Sequence, residues 1–284
     1  MIELTHVNKR FKSKVVLDDI NLKIADGKIT AIVGPNGAGK STIIGLISGY
    51  FRPTSGDIDH GTVSVMPDAD NLYAEMTGKA FLKYMCKIKK ADYKDAVHIA
   101  DVLEISNDLN KKISTYSFGM KKKISFVQAY VGDFDTYIFD EPTSGVDVPS
   151  AKVMLGLVMQ LAKQGKGVLL TSHNMTELET NSDYLYILRN GKIDQSGTMQ
   201  DLEADSLAQN HYVFTTDEAA NLVTFLTQVP QVEIVSKTDG QVVIALSDEL
   251  PISDLIMKIL EQHLSLTGFW QDHQHLADIA FSDK

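Results

Sequence analysis

Residues 34–42 read Gly34-Pro35-Asn36-Gly37-Ala38-Gly39-Lys40-Ser41-Thr42, and their types and spacing suit a chain of phosphates. They fit the pattern G-x-x-x-x-G-K-[ST]. The glycines let the backbone curl until its N–H groups point at phosphate oxygens. A helix starting there adds its positive end to the same anion. Lys40 supplies a mobile positive charge for the β- and γ-phosphates, the Ser41 hydroxyl suits Mg²⁺, and Thr42 can donate to the α-phosphate. Roughly a hundred residues later, the apolar run Tyr137-Ile138-Phe139 ends in two carboxylates, Asp140 and Glu141. An acidic residue in that place holds Mg²⁺ through water. Its neighbour at the strand mouth can accept a proton from an attacking water. The two motifs together point to binding and hydrolysis of a nucleoside triphosphate.

These motifs need elements to hold them. Residues 1–7 and 15–24 alternate apolar and polar positions as strands do, and Asp26-Gly27 marks a turn. Residues 29–33 read as a buried strand leading into the glycine-rich turn, and 41–50 as the helix that leaves it. Residues 76–90 and 94–105 have helical spacing, and a further helix starts near Ser117. Short strands at 137–139 and 168–170 flank a helix at 153–162. Strands alternating with helices predict a mostly parallel sheet. The helical stretch from about 70 to 130 interrupts the alternation as an inserted subdomain. Past a linker at 201–210 the texture changes. A strand at 211–216, a helix at 217–227, strands at 231–236 and 241–246, and a helix at 251–263 come next, before a weaker strand and a short final helix. The expected organisation is therefore an α/β domain over 1–204 and a small α+β domain over 205–284, with ferredoxin-like packing.

Composition excludes several classes. The 284 residues carry a net charge of −10, which argues against binding nucleic acid or an anionic membrane surface through charge neutralisation. The one basic cluster, Lys121-Lys122-Lys123, reads as a solvated helix face. No run of 18 apolar residues is present, so no membrane-spanning helix is expected. The first residues lack a secretory apolar region. Cys86 is the single cysteine, which leaves no internal disulfide or cysteine metal cluster. A cytoplasmic location is expected.

Three further segments narrow the choice of nucleotide enzyme. Tyr116-Ser117-Phe118-Gly119-Met120 precedes the carboxylate pair. Asp140-Glu141-Pro142-Thr143 continues into Ser144-Gly145-Val146-Asp147. His173 follows the run Leu170-Thr171-Ser172. In order and spacing the chain resembles the ATP-binding subunit of a bacterial, exporter-like ABC transporter, over roughly residues 2 to 200. The resemblance implies a P-loop ATPase domain with a mixed sheet and a helical subdomain. It implies that Phe11 stacks on adenine, and that Gly34, Asn36, Gly37, Ala38, Gly39, Lys40, Ser41 and Thr42 hold ATP. Ser41 and Asp140 would serve Mg²⁺, Glu141 would activate water and His173 would bond the γ-phosphate. Ser117 and Gly119 would contact the γ-phosphate held by a second copy or a homologous subunit, with Asp147 touching that partner's P-loop. A separate integral membrane permease is the other implied partner, which would place the chain peripherally on the inner face of the membrane.

The sequence departs from the family pattern twice. Phe118 stands for a glycine and Met120 for a glutamine in the segment usually written L-S-G-G-Q. No glutamine occurs before Gln128, so Asp68 is expected at the metal-sensing position where the family carries glutamine. Aspartate only accepts hydrogen bonds, whereas glutamine also donates. A soluble ABC ATPase not engaged in transport is the alternative, but members acting in translation carry two ATP domains and DNA-repair members a long coiled coil. A guanine-reading N-K-x-D segment is absent, which disfavours a GTPase.

Overall fold

The computed structural model describes residues 1–202 and 210–271 apart from 60 and 248. Most of the expected linker, and the short final helix, lie outside the described residues. The chain divides into two compact units, Met1–Met199 and Gln200–Lys284.

The first unit opens with β1 (Ile2–Phe11) and β2 (Lys14–Ile24), which pair antiparallel. Their inward positions, among them Ile2, Leu4, Val7, Leu17, Ile20, Leu22 and Ile24, are buried; the two-residue period holds over Ile2–Leu4 and Ile20–Ile24 and is shifted where the pairing is irregular between Leu4 and Val7. Then come β3 (Ile29–Val33), α1 (Lys40–Ile47), β4 (Ser55–Asp59) and β5 (Val63–Val65). The helical insertion holds α2 (Gly78–Lys89), α3 (Tyr93–Val102) and α4 (Phe118–Tyr130). The unit closes with β6 (Thr136–Asp140), α5 (Val148–Lys163), β7 (Gly167–Thr171), α6 (Met175–Asn181), β8 (Tyr184–Arg189) and β9 (Lys192–Gly197). The strand β4 joins β1 and β2 in a three-stranded antiparallel sheet. The main sheet has the order β5-β6-β7-β3-β8-β9, parallel except for the β9 edge. Every residue of β3 and β7 is buried, as expected of parallel strands covered on both faces.

Side-chain oxygens start the inserted helices. Thr77 accepts from the Ala80 N–H, Asp92 from the Lys94 N–H and Ser117 from the Met120 N–H, each satisfying an otherwise unpaired donor. The helix α4 is then tied to the sheet edge. Ser125 donates to the Pro67 carbonyl at 2.6 Å and Gln128 to the Val65 carbonyl at 3.1 Å. The insertion is thus anchored beside β5 and β6.

The second unit contains β10 (Asn210–Thr215), α7 (Ala219–Leu226), β11 (Val232–Thr238), β12 (Gln241–Leu246), α8 (Ile252–Glu261) and β13 (Gly268–Gln271). Its sheet runs β11-β12-β10-β13 with every neighbour antiparallel, a split βαβ arrangement. Phe214, Val242 and Ile244 pack with Leu222, Leu226, Leu255 and Ile259 of the two helices.

The ring of Phe139 is fully buried and stacks between Phe126 at 4.9 Å and Tyr137 at 6.5 Å. Truncation there removes a large apolar volume from a packed interior. Phe139→Ala is expected to cost about 3–5 kcal/mol and to lower the melting temperature in a thermal scan. Tyr50→Ala, at a side chain 82% exposed, should leave that temperature nearly unchanged.

Candidate active site

The strand β7 lies between β3 and β6, and its last residue sets the site. Thr171 is level with Ile32 on one side and with Asp140 on the other. The turn after β3, the carboxylates ending β6 and the segment after β7 therefore emerge together at the carboxyl edge of the parallel strands. Such edges are where open α/β sheets bind ligands.

Two positions of the turn after β3 leave no room for a side chain. A Cβ on Gly34 would lie 2.1 Å from the Leu188 carbonyl oxygen. One on Gly39 would lie 2.6 Å from Leu17, in a backbone whose φ of 118° is already left-handed. Gly39 caps α1 with no side chain of its own, so the first N–H groups of that helix stay open to an anion. Residues 36–42, Val16, Asp140 and Glu141 line a cleft of about 300 Å³. Lys40 donates to the carbonyls of Gly34 at 2.5 Å and Pro35 at 3.3 Å. Burial lowers its pKa from the usual lysine value, and the nearby Glu141 and Asp140 oppose that shift.

Thr171 fixes both carboxylate residues. Its hydroxyl donates to Asp140 Oδ1 at 2.5 Å, and the Glu141 N–H donates to its carbonyl at 3.2 Å and its Oγ1 at 3.0 Å. Glu141 adopts φ 47°, a left-handed conformation that is uncommon outside glycine. Its Oε1 lies 2.7 Å from Nε2 of His173. Next to that histidine, Ser172 donates to Glu177 at 3.1 Å, and Thr143 donates to the same oxygen at 2.8 Å.

The remaining expected residues fall outside the cleft lining. Ser117 and Gly119 sit at the start of α4. Phe11 packs edge-on against Phe51 at 5.0 Å, with the Lys9 ammonium 4.8 Å from its ring centre. Asp68 is exposed in the loop after β5. Asp147 caps α5, accepting from the Ser150 N–H and hydroxyl, both at 2.9 Å, with Lys123 at 3.3 Å. The Phe118 ring, at the expected glycine position, lies against Gly145, where a Cβ would be 2.5 Å from it.

One expectation needs correction. The cluster Lys121-Lys122-Lys123 is not a uniformly solvated face, because Lys122 is only 6% exposed. Its ammonium donates to the Glu141 carbonyl at 3.0 Å. The helix turns by about 100° per residue, so three adjacent lysines cannot share one face. Sequence reading also passed over Val16, Thr171 and Glu177 as site residues. Thr171 had a signal: a polar residue ending an apolar strand run, one position before Ser172-His173. Val16 had none.

Comparison with known proteins bears on the family and the fold. The family model described as ABC transporter matches residues 17–144. The chain is 30% identical to the xylose/arabinose import ATP-binding protein XylG of Sulfolobus acidocaldarius, over 68% of this chain and 86% of that protein. It is 27% identical to the uncharacterized ABC transporter ATP-binding protein YxlF of Bacillus subtilis, over 98% of each. Among solved structures, an ATP-binding subunit of an ABC transporter superposes with a TM-score of 0.68 at 25% identity, covering 72% of this chain and 92% of that one.

The hydrogen bonds from Ser150 hold the Asp147 carboxyl down at about 2. A folded pKa below the ordinary 3.8 means that the unfolded chain takes up the proton first. The stabilisation is complete above that ordinary value and is lost as pH falls through about 2. Asp147→Asn should therefore differ most from wild type at neutral pH, and the difference in denaturant midpoint should shrink on acidification.

Proposed function

Because the chain belongs to the ABC transporter ATP-binding family and is an ATPase, we propose that two copies close around ATP and drive export through a separate integral membrane permease. One observation carries this reading. The cleft has a P-loop, a carboxylate pair and a histidine-braced Glu141, yet no residue of α4 lines it. The start of α4 still offers the Ser117 hydroxyl and the open N–H groups of a 13-residue helix, a good anion site. A γ-phosphate bound in the cleft of one copy would meet this second half on the other. A homologous ATPase subunit could stand in for the second copy.

Within the cleft, residues 34–42 would hold the phosphates, with Lys40 exchanging its carbonyl partners for phosphate oxygens. Ser41 and Asp140 both line the cleft and supply the hard oxygen ligands that Mg²⁺ takes. Mg²⁺ bound there would neutralise charge on the β- and γ-oxygens. Glu141 would accept the proton of the attacking water, and His173 would bond the γ-phosphate. Phe11 would stack on adenine once it turns from Phe51. Asp68 would approach the metal from the loop after β5, and Asp147 would face the partner's P-loop.

The permease is proposed to dock beside residues 68–90, where Tyr73 and Tyr84 are exposed and pack against each other at 6.1 Å. That docking would make the chain a peripheral protein of the inner membrane face. No helix among the described residues is long and apolar enough to cross a membrane. Export is favoured by the accessory unit over 205–284, read as a ferredoxin-like domain following a single ATP domain. Net charge gives no support for a nucleic-acid partner.

Glu141→Gln is expected to keep ATP affinity, to lose nearly all turnover and to elute as a dimer with ATP in size-exclusion chromatography. A monomer under those conditions overturns the sandwich. Lys40→Ala should weaken ATP binding at least tenfold by calorimetry, about 1.4 kcal/mol; unchanged affinity removes the P-loop assignment. Copurification of a membrane permease with the tagged chain tests transport, and full activity with no such partner favours a soluble ATPase.

A further inference from the structure

We propose that Lys122 is a positioning residue for hydrolysis: from the first turns of α4 its ammonium clamps the Glu141 carbonyl and fixes the backbone that aims the Glu141 carboxylate. The inference rests on the reading of Glu141 as the base.

A lysine is almost never buried without a partner, because taking an ammonium out of water is costly. Lys122 is 6% exposed, in the middle of a lysine run whose neighbours are more exposed. The Glu141 carbonyl receives it at 3.0 Å, a charge-assisted bond stronger than a neutral one. The Phe118 ring, 5.8 Å from the ammonium, is close enough for a cation–π contact. That ring rests on Gly145, so the cation is held between the start of α4 and the segment following the carboxylate pair.

The partner of Lys122 also has a left-handed backbone. Glu141 has φ 47°, a conformation that persists only where the surroundings overdetermine it. Thr171 holds its N–H from β7, and Lys122 holds its carbonyl from α4. Lys123 reaches Asp147 at 3.3 Å from the next position. Two adjacent lysines of one helix therefore grip both ends of residues 141–147. A shift of α4 relative to the sheet would pull on the Glu141 backbone, giving the helical subdomain a direct mechanical line to the base.

Lys122→Met removes the cation together with its desolvation cost but leaves the Glu141 carbonyl only the longer bond from the Ser144 N–H at 3.4 Å, so stability is read beside the rate. Steady-state ATPase, ATP affinity and thermal melts of the full chain are the measurements. Lys122→Met is expected to lower kcat by about tenfold, as a small misplacement of a catalytic group does. KM and ATP affinity should hold, with at most a modest fall in melting temperature. Lys122→Gln, which retains an N–H donor, should recover part of the rate. Wild-type turnover in folded Lys122→Met overturns the proposal, as does equal slowing of both variants with weaker binding and a lower melting temperature. If Lys122→Met does not fold, Lys122→Gln decides alone: reduced kcat at unchanged affinity supports the role, and wild-type kcat overturns it. Glu141→Gln measured alongside keeps the two ideas apart. Retained hydrolysis there removes Glu141 as the base, whereas lost hydrolysis with unaffected Lys122 variants removes the clamp only.

Discussion

The placement of β7 between β3 and β6 is the constraint from which the site follows. Parallel pairing puts Ile32, Thr171 and Asp140 at one level, so three segments distant in sequence leave the sheet at one edge. Thr171 then converts alignment into geometry. Its hydroxyl orients Asp140, and its carbonyl and hydroxyl both receive the Glu141 N–H. A valine of the same shape would keep the carbonyl bond to the Glu141 N–H but would lose the hydroxyl that orients Asp140 and shares that N–H. The apolar interior supplies the rigidity: β3 and β7 are buried throughout, and Phe139 stacks behind the carboxylates.

On that frame the charges of the cleft hold one another in readiness. Lys40 is half-buried near Asp140 and Glu141, so its charge is sustained by carboxylates and backbone carbonyls together. A phosphate chain offers the same ammonium far stronger acceptors. Glu141 meets His173 at 2.7 Å, a contact that keeps the carboxylate near the cleft rather than in water. The network of Ser172, Thr143 and Glu177 ties the histidine's segment back to the stretch following Glu141. Glu141 and His173 are thus both steadied by chain elements outside the cleft.

How much of this was legible in the sequence differs by element. The P-loop, the carboxylate pair and the histidine segment were legible because each has a fixed local pattern. The strands β3, β6 and β7 showed as short apolar runs, since burial on both faces removes polar positions. The strand β4 was not seen: four of its five residues are exposed, and it exists only through pairing with β1. The strand β5 has three residues, too few for any period to show. Thr171 and Lys122 were missed for a different reason. Their importance lies in a partner thirty or nineteen residues away, and local periodicity carries no information about it.

The lysine run shows what that distance conceals. Read locally, three cations in a row mean water, because side chains of that kind almost never leave it. In the fold the helical twist sends one of them inward, and the carbonyl of a left-handed residue receives it. Phe118, which stands where the family carries a glycine, lies over that cation and presses on Gly145. A bulky residue at that position therefore does not simply weaken an anion site. The N-cap hydroxyl of Ser117 and the helix start remain in place, while the ring next to them joins the start of α4 to the segment that follows Glu141. The departure from the family pattern and the buried lysine are two parts of one contact, and neither can be interpreted from its own position alone.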